Sequence, residues 1–321
     1  MQTKDKVLQA LLQAEGRYLS GAALAKELGC SRTAVWKAIE QLKADGCEIE
    51  AVTNRGYSLQ NAGDLFLPVQ LEKRLTNART SYQIHHFPEL DSTNNRLKEL
   101  AAAGAPAGTV VIADRQTAGK GRLGKSFHSP AGGMYLSVLL RPDLPLTDMM
   151  AVTACTASAV YLALADLGIQ SQIKWVNDLF LNGKKICGIL SEGAFNAELL
   201  KMDYLIIGIG INLTPDPNLP EELRPIVTDI LTDTGLRLHR ADLIVGILLH
   251  LEQLIAELPS RTYLPIYKQN SCTLGHHVQF LSNGTQKTAL AVDFADDAGL
   301  IVEHDDGTRE TIRTGTATPI D

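Results

Sequence analysis

Residues 119–126, Gly-Lys-Gly-Arg-Leu-Gly-Lys-Ser, match the phosphate-loop pattern G-x-x-x-x-G-K-[ST] at every position. The residues just after them decide how the middle of the chain folds. A phosphate loop needs a strand, the glycine turn, and then a helix starting at the Lys-Ser, because the helix N-terminus supplies the anion site. Here the chain continues Phe127-His128-Ser129-Pro130, passes Gly132-Gly133, and runs into the apolar stretch MYLSVLLR, residues 134–141. Ser-Pro and Gly-Gly forbid a helix of useful length. No convincing Walker B strand ending in Asp is found either. The segment therefore predicts strand, loop, strand: residues 109–114, the glycine loop, and residues 134–141. Its chemistry outlives the motif. Lys120, Arg122 and Lys125 alternate with Gly119, Gly121 and Gly124, so the loop has hinge freedom and cations enough to close over an anion. A solvated surface turn is the competing reading.

Upstream of the loop, residues 82–87 read as a strand, and LDSTNNRLKELAAAG (90–104) reads as a helix with Asp91, Ser92 and Thr93 at its N-terminus. On the other side lies IKWVNDLFLNGKKICGILSE (173–192). Residues 173–176 are a predicted strand, and Asn182-Gly183 marks a tight hairpin. Lys174, Asn177, Asp178 and Lys185 are polar residues in or beside apolar strands. A lysine there either guards a sheet edge or serves a site. YLIIGIGINL (204–213) predicts a buried strand whose Gly208 and Gly210 mark close approach by a ligand or another chain. Residues 149–167 and 241–258 predict core helices. The pairs His85-His86 and His276-His277 lie in predicted strands, where neighbours point to opposite faces and chelate poorly.

The first 60 residues are of a different kind. Apolar positions 7, 8, 11 and 12 make one helix face; Ser20 can cap a second helix and Ser31 a third, Arg32 to Asp45. Two short helices joined by Gly-Cys-Ser have helix-turn-helix spacing. The second presents Ser31, Arg32, Thr33, Trp36 and Lys37 towards a DNA groove. Residues 47–59 then alternate around Asn54-Arg55-Gly56, a hairpin with Arg55 at its tip, which completes a winged helix. This segment carries eight Lys+Arg against seven Asp+Glu, so placement of charge argues for DNA more than bulk charge does. A small protein-contact domain is the alternative.

Composition bounds the rest. With 321 residues, 45% hydrophobic and 21% charged, the chain has the make-up of a globular protein of two or three domains. A net charge of −6 argues against wholesale wrapping by nucleic acid. Five scattered cysteines read as free thiols of a reducing compartment, and the charged N-terminal segment is no signal peptide. The expected location is cytoplasmic.

DSTN (91–94), RQTAGKGRLGKSFHSP (115–130), KWVND (174–178), KKICGILSE (184–192) and GIGINL (208–213), in this order behind a winged helix, closely resemble the biotin–protein ligases, and more specifically the bifunctional kind that also represses biotin genes. The resemblance covers essentially the whole chain. It implies a multidomain α/β protein: a winged helix-turn-helix at 1–62, a linker helix at 63–80, a mixed α/β catalytic domain at 81–270, and an SH3-like barrel at 271–321. It implies that biotin and Mg-ATP yield biotinyl-5′-AMP and pyrophosphate, after which a lysine of a biotin carrier protein, of the acetyl-CoA carboxylase type, takes the biotin. Ser92, Thr93, Asn94, Gln116, Gly119, Lys120, Gly121, Arg122, Lys185 and Gly188 would then line the biotin site. Lys120, Arg122, Lys125, Phe127, Lys174, Asn177, Asp178, Lys185 and Asn212 would hold ATP or the adenylate. Lys185 and Arg122 would be catalytic, and Asp178 would hold Mg2+.

The resemblance also implies operator DNA as a partner, with a homodimer forming when the adenylate is bound. Carboxylate attack on a phosphate brings two anions together, so positioning and cationic stabilisation dominate, which suits a site rich in Lys and Arg without an enzyme nucleophile. A biotin sensor with weak or lost ligase activity is the alternative; an enzyme for another acid such as lipoate is a third reading. The loop departs from the family's usual G-R-G-R-x-G-R followed by Trp: Lys120 and Lys125 replace arginines, Leu123 replaces a residue often basic, and Phe127 replaces the Trp. Lysine keeps charge but loses the bidentate fork, which puts the retention of adenylate in question.

Overall fold

The structure, a computed structural model, describes residues 3–141, 148–196, 201–282 and 284–320. It divides into two compact units, Met1–Lys73 with His239–Ala241, and Arg74–Leu238 with Asp242–Asp321.

The first unit opens with helices α1 (Thr3–Gln13), α2 (Gly21–Glu27) and α3 (Arg32–Ala44). Ser20 Oγ and Ser31 Oγ each accept a capping bond of 3.1 Å, from the Ala23 and Ala34 amides, as serine does at an N-cap. Val7, Leu11, Leu24, Val35, Ile39 and Leu42 pack together as its core. Strands β1 (Glu48–Val52) and β2 (Gly56–Asn61) form the antiparallel hairpin. Its turn requires left-handed backbone at Asn54 (φ 65°) and Gly56 (φ 106°). A side chain at Gly56 would collide with the Leu19 carbonyl oxygen. Helix α4 (Pro68–Arg74) comes next, where a short helix is expected.

The second unit is built on a seven-stranded mixed sheet. Its strands are β3 (Gln83–Phe87), β4 (Thr109–Ala113), β5 (Met134–Leu140), β6 (Gln172–Lys174), β7 (Asp178–Leu181), β8 (Lys184–Asn196) and β9 (Lys201–Ile211). They lie in the order β3-β4-β5-β9-β8-β7-β6. Only β3 and β4 are parallel. Helix α5 (Thr93–Ala102) packs on one face and α6 (Met149–Asp166) on the other. Glu192 bonds Asn94 of α5, while its neighbour Ser191 bonds Thr153 of α6, as the two-residue alternation of a strand requires. Helix α6 is long and apolar enough to cross a membrane, but it is mostly buried against the protein. Helices α7 (Ile230–Thr234), α8 (Arg240–Ala256) and α9 (Tyr263–Gln269) complete the helical part.

Strands β10 (His277–Ser282), β11 (Thr285–Phe294), β12 (Leu300–Glu303), β13 (Arg309–Ile312) and β14 (Thr318–Pro319) form a five-stranded antiparallel sheet in the order β13-β12-β11-β10-β14. Among the described residues its edge strands β13 and β14 are not paired with each other. This is an open sheet where an SH3-like barrel is expected.

Three local expectations are corrected. The strand expected at 173–176 ends at Lys174, and Trp175-Val176-Asn177 turn the chain into β7. The Trp175 amide donates to Thr273 Oγ1 and its indole to the Ala298 carbonyl, which pulls the residue out of the ladder. Ser92 occupies the N-cap position of α5 without a side-chain cap; the Thr93 amide is taken instead by Gln116 Oε1 at 2.8 Å. The close approach signalled by Gly208 comes from the chain's own Asn94, whose Oδ1 would collide with a side chain there.

Candidate functional site

After β4 the chain crosses the end of the sheet as the glycine loop. It is pinned by the Phe127 amide donating to the Gly119 carbonyl (2.8 Å) and the Gly121 amide donating to the Lys125 carbonyl (2.7 Å). Leu123 adopts φ 56° within a short turn at Arg122–Gly124 and is exposed. No helix comes after it; the chain enters β5, so the phosphate-loop match is one of sequence alone.

Two cavities meet beneath this loop. The smaller, of about 50 Å³, is lined by Ser92, Thr93, Asn94, Gln116, Lys120, Gly121, Arg122 and Gly188. The larger, of about 610 Å³, is lined by Lys125, His128, Lys174, Asp178, Asn212 and Asp216 and by Thr316 to Thr318 of the C-terminal segment. Phe127, Asn177 and Lys185 line both and form the boundary between them. Gly119 lines neither; it is wedged against Ser129 Oγ and the Phe127 carbonyl.

The boundary is built by the β7–β8 hairpin, whose Asn182 and Gly183 take left-handed backbone (φ 47° and 77°), as this turn demands. The hairpin places Lys185 Nζ 2.7 Å from Asp178 Oδ1. The geometry is that of an ion pair and not of a hydrogen bond: Asp178 Oδ1 is buried and has no hydrogen-bond partner among the described residues. Lys185 lies on an interior strand, so it is no edge guard. Lys174 is on the edge strand β6 and also reaches the larger cavity, with its ammonium 5.1 Å from the centre of the Phe180 ring.

Arg122 Nη1 donates to Asn177 Oδ1 (3.0 Å) and Nη2 to the Gly315 carbonyl (3.1 Å). Burial pulls the guanidinium's pKa down, and Asp178 and Tyr267 oppose that. An arginine keeps its charge regardless. The Phe127 ring covers Gly188 and Gly210, which pair across β8 and β9; side chains there would meet it at 2.9 and 2.5 Å. Asn212 Nδ2 donates to the Thr228 carbonyl at 3.0 Å.

The floor of the smaller cavity is polar and buried. Thr93 Oγ1 lies 3.1 Å from Gln116 Oε1 and 2.8 Å from Ser137 Oγ, and Gln116 Nε2 donates to Ser129 Oγ at 2.9 Å. Sequence reasoning missed Ser137 and Glu192, although a lone serine in MYLSVLL and a lone carboxylate ending KKICGILSE were visible signals. It also missed residues 315–318, which no local pattern marks.

Among the described residues no group of three or more His, Cys, Asp or Glu is placed to hold a metal. His86 pairs instead with Asp114 at 2.9 Å. Asp178 is a carboxylate on the wall of the larger cavity, and Mg2+ commonly takes one or two carboxylates together with substrate phosphates. A metal there would share the carboxylate with Lys185, whose ammonium already lies 2.7 Å from Oδ1.

In the first unit, Ser31, Arg32, Thr33, Trp36 and Lys37 are exposed on α3, with Trp36 53% exposed. Arg55 at the hairpin tip stacks over the Tyr18 ring at 4.5 Å.

Comparison with known proteins agrees with both units. Residues 87–212 match the biotin/lipoate A/B protein ligase family, and residues 3–58 match an HTH domain. The chain is 36% identical over 315 residues to the bifunctional ligase/repressor BirA of Bacillus subtilis, covering 96% of each. It is 31% identical over 232 residues to a biotin–[acetyl-CoA-carboxylase] ligase of Mycobacterium tuberculosis, covering 69% of this chain and 83% of that one. Its fold resembles that of a biotin protein ligase from Aquifex aeolicus in complex with biotin and ATP, with TM-score 0.62, 29% identity, and coverage of 74% of this chain and 97% of that one. With a ligase domain behind a helix-turn-helix and similarity along nearly its whole length, the chain belongs to the bifunctional biotin–protein ligase/repressor family.

Proposed function

We propose that this chain activates biotin with ATP to biotinyl-5′-AMP, transfers biotin to a lysine of a biotin carrier protein, and represses genes by binding operator DNA. The observation that carries the ligase reading is the shared boundary of the two cavities. A small bay with Lys120 and Arg122 on its wall and a large chamber with both lysines and carboxylates on its wall meet at Lys185, Asn177 and Phe127, as a reaction joining two ligands end to end requires.

In the first step a biotin carboxylate oxygen bonds to the α-phosphorus of ATP, and the bond to the β-phosphate oxygen breaks to release pyrophosphate. Lys185 lies where these anions converge and offsets the charge that grows on the phosphoryl oxygens. Asp178 holds the ammonium in place, and Arg122, on the wall of the smaller cavity, reaches the boundary through its bond to Asn177 and is held from behind by Gly315. Mg2+ held through Asp178 would supply further charge neutralisation on the phosphates. Lys125, Lys174 and Asn212 suit the nucleotide, and Ser92, Thr93, Asn94, Gln116, Lys120, Gly121 and Gly188 suit biotin. The glycine loop keeps water from the mixed anhydride. In the second step the carrier amine attacks the acyl carbon, AMP leaves, and the amine gives up a proton.

The winged helix at 1–62 reads DNA through α3 and Arg55, a linker at 63–80 leads to the catalytic domain at 81–270, and a small SH3-like domain built on the open five-stranded sheet spans 271–321. The protein is cytoplasmic and forms a homodimer when the adenylate is bound, so that two recognition helices meet a two-fold operator.

The test incubates the full chain with biotin and Mg-ATP, without carrier, and separates the products. Pyrophosphate with protein-held biotinyl-AMP is expected. ADP and phosphate would overturn the reading, and biotin binding without either product would leave a sensor only. Sedimentation with and without biotinyl-AMP tests the dimer; an unchanged monomer would sink it.

A further inference from the structure

Behind the smaller cavity lies a chain of polar side chains that ends on a charge pair. Lys98 Nζ approaches Glu192 Oε1 at 2.5 Å, and Asn94 Nδ2 donates to Glu192 Oε2 at 2.7 Å. Asn94 Oδ1 lies 2.5 Å from Ser137 Oγ, which lies 2.8 Å from Thr93 Oγ1. Asn94, Thr93 and Ser137 are all buried. The two ends of an asparagine amide look alike, and hydroxyl protons are free to turn, so the direction of such a chain must come from a member with no choice.

Glu192 is the nearer and charged member of that kind; the Leu190 carbonyl, 3.5 Å from the same Asn94 nitrogen, is a longer second contact. Burial opposes its charge, but the bonds from Lys98 and Asn94 outweigh burial and hold the carboxyl below its ordinary range. An ionised carboxylate only accepts, so the Asn94 amide must turn its nitrogen to Glu192 and its oxygen to Ser137. Ser137 has one proton and must give it to that oxygen. It then has none for Thr93, and the 2.8 Å contact needs one proton between the two oxygens, so Thr93 supplies it. Gln116 Oε1 takes the Thr93 amide at 2.8 Å and lies farther, at 3.1 Å, from Thr93 Oγ1; whichever oxygen receives it, the hydroxyl proton stays within the protein. With its proton committed to the protein, Thr93 Oγ1 faces a ligand as an acceptor only.

We infer that Glu192, held by Lys98, sets the polarity of the cavity floor through Asn94 and Ser137, so that Thr93 selects a ligand presenting an N–H donor, as a cyclic urea does, and rejects one presenting an acceptor there. Glu192 and Ser137 are positioning residues; neither has to touch the ligand. The inference rests on the reading of the smaller cavity as the biotin site.

The test is a double-mutant cycle on the full chain, with biotin affinity measured by calorimetry. Glu192→Gln keeps the shape but admits a donor, so only the long contact with the Leu190 carbonyl still orients the amide of Asn94. Biotin affinity should fall about ten-fold or more, in the range for a misdirected buried hydrogen bond. The KM for ATP should stay as it was. In a Thr93→Val background, Glu192→Gln should cost nothing further, because the acceptor it orients is gone. Ser137→Ala, a smaller change, repeats the cycle in case E192Q folds poorly, and melting curves report folding for each variant. A biotin N-methylated at the ureido nitrogen should bind wild type and E192Q equally weakly. Additive losses in both cycles would overturn the inference. Absence of biotin binding by the wild type would instead overturn the functional reading beneath it.

Discussion

Lys185 Nζ stands 2.7 Å from Asp178 Oδ1 across a hairpin turn, at the line where the small and large cavities join. A cation fixed in place before its ligands arrive needs little reorganisation as charge develops between them. Lys185→Ala is therefore expected to slow pyrophosphate formation by about 100-fold or more, the cost of losing one preorganised donor. Single-turnover pyrophosphate release checks this; a rate close to that of wild type would remove Lys185 from the chemistry.

Arg122 spans two acceptors, Asn177 Oδ1 and the Gly315 carbonyl. A lysine carries one compact ammonium and lacks the fork that reaches both. Arg122→Lys is expected to release preformed biotinyl-AMP about ten-fold faster, the effect of one charge-assisted bond, and dissociation of labelled adenylate measures it.

Gly210→Ala puts a methyl group 2.5 Å from the Phe127 ring. Overpacking of this kind costs about 1–3 kcal/mol, so the melting temperature should fall, and it should recover when Phe127→Leu is added. Failure of the second change to rescue the first would place the strain elsewhere.

Glu192 titrates below the ordinary carboxylate value of 4.5 in the folded chain. A depressed carboxyl stabilises fully above its unfolded value and loses that contribution as pH falls through the folded one. The gap in melting temperature between wild type and E192Q should hold steady from about pH 8 to about pH 5 and close below 4.5. Thermal scans across that range test it; a gap that closes nearer neutrality would argue against an ionised Glu192.

On the DNA side, Arg55→Ala is expected to weaken operator and unrelated DNA alike and to flatten the salt dependence by about one unit of slope. Titrations at several salt concentrations decide between this backbone role and base reading, which would weaken the operator alone.

Legibility in the sequence tracked the range of the interactions involved. Caps at Ser20 and Ser31, the Asn182-Gly183 turn and the strand after Gly133 are written in adjacent residues, and each is formed as expected. The segments 91–94, 115–130, 174–178, 184–192 and 208–213 likewise contain every residue that lines the smaller cavity and the three lysines of the larger one. Short-range signals failed where tertiary partners intervene. Thr273 and Ala298, about a hundred positions downstream, take Trp175 out of its strand. Gln116, not Ser92, serves the first amide of α5. Gly208 makes room for an asparagine of the same chain, which a glycine in a strand cannot announce by itself.

The hydrogen bond from Arg122 to the Gly315 carbonyl joins residues 193 positions apart, and that distance has a temporal meaning during synthesis. Chains emerge from the ribosome N-terminus first and fold by units as they appear. No residue lining the polar bay under the glycine loop lies beyond Gly210, but its Arg122 is held by Gly315, and the larger cavity takes part of its wall from Thr316 to Thr318. A nascent chain thus carries every residue that lines the bay while the acceptor that holds Arg122 and part of the chamber wall are still to be made, so both cavities reach their final form only as the last residues join the fold.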